Sequence, residues 1–298
     1  MREEQPMMET VGYIGLGAIG SLMAQRIRQA GYPLMVWNRS PDKYGELQRM
    51  GATVAPSPAE LAAHCPVICI CVSDTAAVEH VVFGIDGIAG TAGPQTVIVD
   101  SSTIHPRATR EMAQRLETAC GATWVDAPVS GGLVGARAGM LAVFAGGDAG
   151  SLARVRGILC CFGGHITHTG PVGAGQTTKI CNQIISAGTV AAIAEALTLA
   201  ESAGMTVEQF PAALAGGWAD SPLLRHYAPR MIAGEFQGST RTMLKDLEIA
   251  CDLAGATHEL PVTALLTDLY RRLIERGHVN LGISGIMRLY TDEPPRQP

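Results

Sequence analysis

Lys179 stands in the segment GAGQTTKICNQIISAGTVAAIAEALTLA (173–200), whose only other charged residue is Glu195. An ammonium set among small and apolar side chains needs a partner or a use, because burying an unpaired charge is costly. Asn182 and Gln183 follow by three and four residues and so share its helix face. A lysine so placed has the chemistry to donate or take a proton at a reacting oxygen. A second group of residues has different chemistry. Gly15, Gly17 and Gly20 form G-x-G-x-x-G between the strand-like TVGYIG and the helical AIGSLMAQRIRQAG. The first glycine permits a tight turn, the second lets a pyrophosphate approach the backbone, and the third lets helix pack on strand. The helix start, with Leu16, Ala18 and Ile19, then offers unpaired N–H groups to phosphate.

The next strand-like run ends in VWNRSPDK, where an NAD enzyme usually carries an acid for the ribose 2′-hydroxyl. Here Asn38 is followed by Arg39 and Ser40. An arginine can clamp a 2′-phosphate that an acid would repel, and a serine can hydrogen-bond it. The expected cofactor is NADP, with NAD as the alternative.

These residues need a frame to hold them. From Thr10 to about Thr169, short β-branched runs (TVGYIG, PLMVWN, VICICV, TVIVDSS, ATWVDAPVS, MLAVFAGG, HITHTG) alternate with helical segments. That alternation predicts a parallel, doubly wound sheet of Rossmann type. Runs as uniformly apolar as VICICV fit strands covered on both faces. After Gly170 the period becomes helical, with no strand-like run, so an all-α domain is expected at 170–298 behind an α/β domain at 1–169. The 298 residues suffice for two cores, and 47% hydrophobic against 16% charged residues excludes a disordered chain. A net charge near −5 without charge blocks points to neither nucleic acid nor anionic lipid. The start of the chain does not read as a signal peptide, and the apolar runs are broken by glycine and polar residues, so a cytoplasmic protein with no membrane span is expected. The eight cysteines lack zinc-like spacing, and HITH (His165, His168) has no acid or cysteine cluster beside it. No metal is expected. Trp218 and Tyr227 read as packing or interface residues.

Five motifs, YIGLGAIGSLMA, DSSTIHP, DAPVSGGLVGARAGMLAVFAGGD, GAGQTTKICNQ and MLKDLEIA, lie in this order along almost the whole chain. Together they resemble the β-hydroxyacid dehydrogenases related to 3-hydroxyisobutyrate dehydrogenase. ALAGGWADSPLL and the NQII after the lysine are most similar to the tartronate semialdehyde (2-hydroxy-3-oxopropionate) reductases within that family. The resemblance implies a Rossmann domain followed by a helical one, and hydride transfer between NADP(H) and a small 3-oxo or 3-hydroxy carboxylate. It implies that Lys179 is the general acid–base. A protonated lysine would both stabilise a developing alkoxide and supply its proton. A dry setting would lower its pKa from the free value of ~10.4.

The resemblance also implies that Ser130, Gly131 and Gly132 bind the substrate carboxylate, through one hydroxyl and two open backbone N–H groups. Asn182 and Gln183 would orient the substrate or hold the lysine. Thr103 would lie near nicotinamide and substrate, and Val72 and Ser73 near the cofactor ribose. Lys245 and Asp246 would face the interdomain cleft near the cofactor, with an exposed pair of neighbouring charges as the alternative reading. One departure stands out: relatives carry an acid two residues before a Ser-Ala in the last helix, where this chain has Gly282, with Gly285 in place of the alanine. Alternatives are an NAD-dependent 3-hydroxyisobutyrate or other short-chain 3-hydroxyacid dehydrogenase and, from a different class, a non-catalytic dinucleotide-binding module. The helical half, rich in Ala and Leu, is expected to form a homodimer or homotetramer.

Overall fold

The computed structural model describes residues 8–256 and 258–291. The chain divides into two compact units, Met1–Lys179 and Ile180–Pro298. In the first, β1 (Val11–Ile14), α1 (Ala18–Gln29), β2 (Leu34–Trp37), α2 (Gly45–Arg49), β3 (Thr53–Val54) and α3 (Pro58–His64) come first. Next come β4 (Val67–Ile70), α4 (Thr75–Phe83), β5 (Val97–Asp100), α5 (Pro106–Cys120) and β6 (Thr123–Asp126). The unit continues with β7 (Val129–Ser130), α6 (Gly132–Ala138), β8 (Leu141–Gly146), α7 (Ala149–Cys160) and β9 (Gly163–Gly170). Helix α8 (Ala174–Ser202) begins there and runs on into the second unit.

The apolar strands explain the doubly wound architecture. In β4, Val67 and Cys69 enter one core while Ile68 and Ile70 enter another. In β5, Val97 and Val99 face the first core and Ile98 the second. With side chains alternating across the pleat, each face needs its own cover of helices. α1 and α7 supply it on one side through Met23, Ile27, Leu152 and Val155. α3, α4 and α5 supply it on the other through Leu61, Val78, Val82 and Leu116. Helix starts are marked locally: Ser57, Asp74 and Asp148 each accept a backbone N–H from the first turn of α3, α4 and α7.

The sheet order is β3-β2-β1-β4-β5-β6-β8-β7, with β9 beside β8. From β3 to β6 all pairs are parallel. The expectation of a parallel sheet needs correcting at the far edge, where β8 is antiparallel to both β6 and β7. The reversal is made by α6, entered through Gly131 (φ 130°) and left through Gly139 (φ 69°), backbone angles that favour glycine. HITHTG lies in β9, which pairs parallel with β8, and the His168 ring lies 2.9 Å from the carbonyls of Gly147 and Gly170.

The second unit comprises the rest of α8 with α9 (Phe210–Ala213), α10 (Pro222–Ile232), α11 (Thr240–Ala254), α12 (Pro261–Glu275) and 3-10 turns. Among the described residues its only strand-like pairing is one bridge between Gly238 and Leu281. Ala187, Val190, Ala194 and Leu197 of α8 meet Leu224, Met231, Leu247, Leu266 and Tyr270 in its core. By length and composition alone α8 is apolar enough to cross a membrane, because Gly175 and Gly188 do not interrupt it. Its buried stripe is that of a core helix. Tyr227 packs against this core, but Trp218 is fully exposed, so the reading of Trp218 as a packing residue fails within the chain. The loop around it is closed by Asp220 and Arg225 instead, leaving the indole outside.

Candidate active site

Trp37, Ile14, Ile70, Asp100 and Asp126 stand side by side in the parallel register. Every loop that follows them therefore leaves the same edge of the sheet, the carboxyl edge where open α/β sheets bind ligands.

After β1, Gly15 turns with φ 97°. A Cβ on Gly20 would collide with the Gly15 carbonyl, so only glycine lets α1 sit this close to β1. A Cβ on Gly17 would meet nothing within 4 Å. Gly17 is the N-cap of α1 and supplies no side-chain cap, so the first-turn N–H groups open onto that space. An uncapped helix start under a clear approach is what a pyrophosphate requires, and the residues fit a dinucleotide. Asn38, expected at the cofactor, uses its carboxamide inside the loop: Oδ1 accepts from Leu16 N–H at 2.8 Å and Nδ2 donates to the Ser40 carbonyl at 2.9 Å. It holds the glycine turn against the end of β2. Arg39 and Ser40, just beyond, are exposed.

The loops after β4 and β5 are tied together. Val72 N–H donates to Ser102 Oγ at 2.9 Å, and Ser102 N–H to Asp100 at 2.9 Å. Ser73 donates to Asp74, the cap of α4. Thr103 is half-buried between the buried Ser102 and Ile104. After β6, Ser130 ends the short strand β7 opposite Ala142, and a Cβ on Gly132 would again meet open space.

Lys179 lies in the second turn of α8 and is 8% exposed. The first turn of that helix is gripped by two buried side chains that the motif reading passed over. Asp126 accepts Gly173 N–H at 2.7 Å and Gln176 N–H at 2.8 Å. Burial pushes the Asp126 carboxyl above its ordinary pKa, and these N–H groups pull the other way. Gln176 donates to the Ser102 carbonyl at 2.8 Å and accepts Ile104 N–H at 3.1 Å. The only hint in the sequence was position: Asp126 opens DAPVSGG, and Gln176 stands one turn before the lysine.

In the second unit, Asn182 donates to Gln183 at 3.0 Å, Gln183 to Asp246 at 2.6 Å, and Lys245 lies 3.2 Å from Asp246. Asp246 is 1% exposed, so the picture of an exposed pair of neighbouring charges fails for it. Its carboxylate is a buried bracket joining α8 to α11. Gly282, where the resemblance led us to expect an acid, has φ 64°, and a Cβ there would collide with the Gln237 carbonyl.

Two family models cover the chain. The NAD-binding domain of 6-phosphogluconate dehydrogenase matches residues 10–170, and the NAD-binding region of NADP-dependent 3-hydroxyisobutyrate dehydrogenase matches residues 173–290. The 2-hydroxy-3-oxopropionate reductase of Escherichia coli K12 is 36% identical over 281 residues, spanning 93% of this chain and 96% of the relative. Mitochondrial 3-hydroxyisobutyrate dehydrogenase of Mus musculus is 34% identical over 298 residues, spanning 96% and 88%. Among solved structures, 3-hydroxyisobutyrate dehydrogenase of Mycobacterium tuberculosis with L-serine superposes with a TM-score of 0.86 at 30% identity, over 96% of this chain and 100% of that one.

Proposed function

The chain belongs to the β-hydroxyacid dehydrogenases related to 3-hydroxyisobutyrate dehydrogenase, NAD(P)-dependent oxidoreductases acting on a CH–OH group, and from that premise we propose that it reduces a small 3-oxo carboxylate with NADPH, tartronate semialdehyde being the first candidate, with Lys179 as proton donor. The observation that carries this reading is the buried Lys179 on a helix whose first turn is fastened to the loops after β5 and β6. When bound, the dinucleotide supplies the hydride. Gly15 to Gly20 and the open start of α1 would hold its phosphates. The preference for NADP is supported by Asn38, Arg39 and Ser40 following β2, where an NAD enzyme usually carries an acid, and by the exposure of Arg39 and Ser40. The Ser130 hydroxyl and the backbone N–H groups of Gly131 and Gly132 receive the substrate carboxylate. Lys179 places its ammonium at the carbonyl oxygen, stabilises the charge that builds there and gives up a proton to it. In the oxidising direction the same amine takes the proton back.

A steady-state panel tests the assignment: tartronate semialdehyde, 3-hydroxyisobutyrate and other short 3-hydroxy acids, each with NADP(H) and NAD(H). The expected result is highest kcat/KM for tartronate semialdehyde with NADPH, and a best rate with 3-hydroxyisobutyrate and NAD would replace that assignment. Lys179→Ala should lower kcat by roughly 10²–10⁴-fold while NADPH still binds. Wild-type turnover in that variant would end the proton-donor reading. We further infer a homodimer or homotetramer, supported by exposed Ile185 and Leu199 on α8 and Val262 and Leu265 on α12, and read by light scattering of the purified protein.

A further inference from the structure

We propose that Gln176 is a positioning residue for the reaction, holding Lys179 and Thr103 in a fixed register through hydrogen bonds to the backbone on either side of Thr103. The inference rests on the reading of Lys179 as proton donor. Gln176 is wholly buried, so its carboxamide cannot serve a substrate directly. Both ends of that amide are used on one loop. Nε2 donates to the carbonyl of Ser102, at 2.8 Å, and Oε1 accepts from the N–H of Ile104, at 3.1 Å. Thr103 is thus bracketed by a side chain that lies one helical turn before Lys179.

The bracket belongs to a longer chain of bonds. Ser102 Oγ accepts Val72 N–H from the loop after β4, and Gln176 N–H is itself held by Asp126 at the end of β6. A continuous path therefore joins the loops after three strands to the helix that carries the lysine. Glycines let the parts close up. A Cβ on Gly175 would collide with the Phe144 carbonyl and come within 2.6 Å of the Asp126 carbonyl, and one on Gly146 would reach within 2.6 Å of Asp126 Oδ1.

The residue type follows from these partners. Asparagine is one methylene shorter and cannot span the same gap. Glutamate could accept from Ile104 but could not donate to Ser102, and it would bury a second carboxylate beside Asp126. Only a neutral amide of this length satisfies both backbone groups. Since misplacing a reacting group by about 1 Å can cost on the order of 100-fold in rate, the bracket should matter to turnover more than to binding.

The test is a double-mutant cycle with Gln176→Met, which keeps the side chain's length and removes both hydrogen bonds. With tartronate semialdehyde and 3-hydroxyisobutyrate as substrates, Gln176→Met should lower kcat on the order of 100-fold. Its NADPH dissociation constant, read by nucleotide fluorescence, should stay within about threefold of wild type. In a Lys179→Ala background the same substitution should lower the residual rate by less than about 10-fold, because the lysine is already gone and only Thr103 is left to be held. A second readout needs no turnover: amide hydrogen exchange should quicken together in residues 101–105 and 173–179. Wild-type kcat in Gln176→Met, an undiminished effect in the Lys179→Ala background, or exchange that quickens in neither segment would each overturn the proposal. Wild-type turnover in Lys179→Ala alone would instead overturn the lysine reading, so the two failures are separable. Should Gln176→Met not fold, Gln176→Asn, neutral and one methylene too short to reach both backbone groups, carries the same cycle.

Discussion

Substituting Asp126 by Asn should loosen the start of α8 by a calculable amount. The carboxylate accepts two backbone N–H groups, at 2.7 and 2.8 Å, one on each oxygen. Asparagine keeps one acceptor and turns an NH2 towards the other N–H, losing one hydrogen bond to a charged group, worth ~1.5–3 kcal/mol. Part of that loss is offset, because asparagine buries no charge. The offset is real here: burial outweighs the N–H groups and holds the native carboxyl above its ordinary pKa. A group whose native pKa is raised stabilises the fold fully only below its unfolded-state value, near ~3.9, and loses that contribution as pH rises through the native value. The penalty of Asp126→Asn should therefore be larger at pH 4 than at pH 8. At pH 8 a net ~1–2 kcal/mol remains, and at roughly 2–4 °C per kcal/mol the first unit's Tm should fall by about 2–8 °C. Scanning calorimetry at the two pH values measures both. A shift below about 1 °C at each pH, or a larger loss at pH 8 than at pH 4, would refute the argument.

Three further outcomes are expected. Arg39→Ala should lower kcat/KM with NADPH by roughly 10-fold and leave that with NADH unchanged, as expected for a lost charge-assisted contact to phosphate; equal losses with both nucleotides would deny the residue this role. Gly282→Asp should cost more than ~2 kcal/mol in urea unfolding, since the position combines φ 64° with a backbone carbonyl in the way of any Cβ; a neutral result would mean the Gln237 segment moves freely. The exposed Cys160 should react with iodoacetamide at pH 8, while Cys65 and Cys71, whose thiols burial pushes up to about 12, should react only on unfolding, as peptide mapping by mass spectrometry would show.

The frame was legible because it is written in local patterns. Runs such as VICICV announce a strand covered on both faces, and G-x-G-x-x-G announces a turn that only glycine can make. Lys179 was legible as an anomaly, one ammonium in an apolar helix. What escaped was whatever depends on partners far along the chain. Asp126 meets Gly173 across 47 positions, and Gln176 meets Ile104 across 72, distances at which no spacing rule operates. Asn38 was visible as the residue in the place of a ribose-binding acid, yet nothing local reveals that its amide is spent on Leu16. The reversal at β8 was hidden for a similar reason, since MLAVFAGG reads as the same strand whichever way it runs.

Gly282 limits which side chains the end of this chain can accept. The backbone at Gly282 holds φ 64°, and the Gln237 carbonyl lies where a side chain would begin. An acid introduced at this position alone would bring strain, because the peptide would have to rotate before a carboxylate could be accommodated. A carboxylate could be accommodated here only together with a change in the neighbouring segment, since the Gly238 Cα also lies 3.4 Å from where that Cβ would stand.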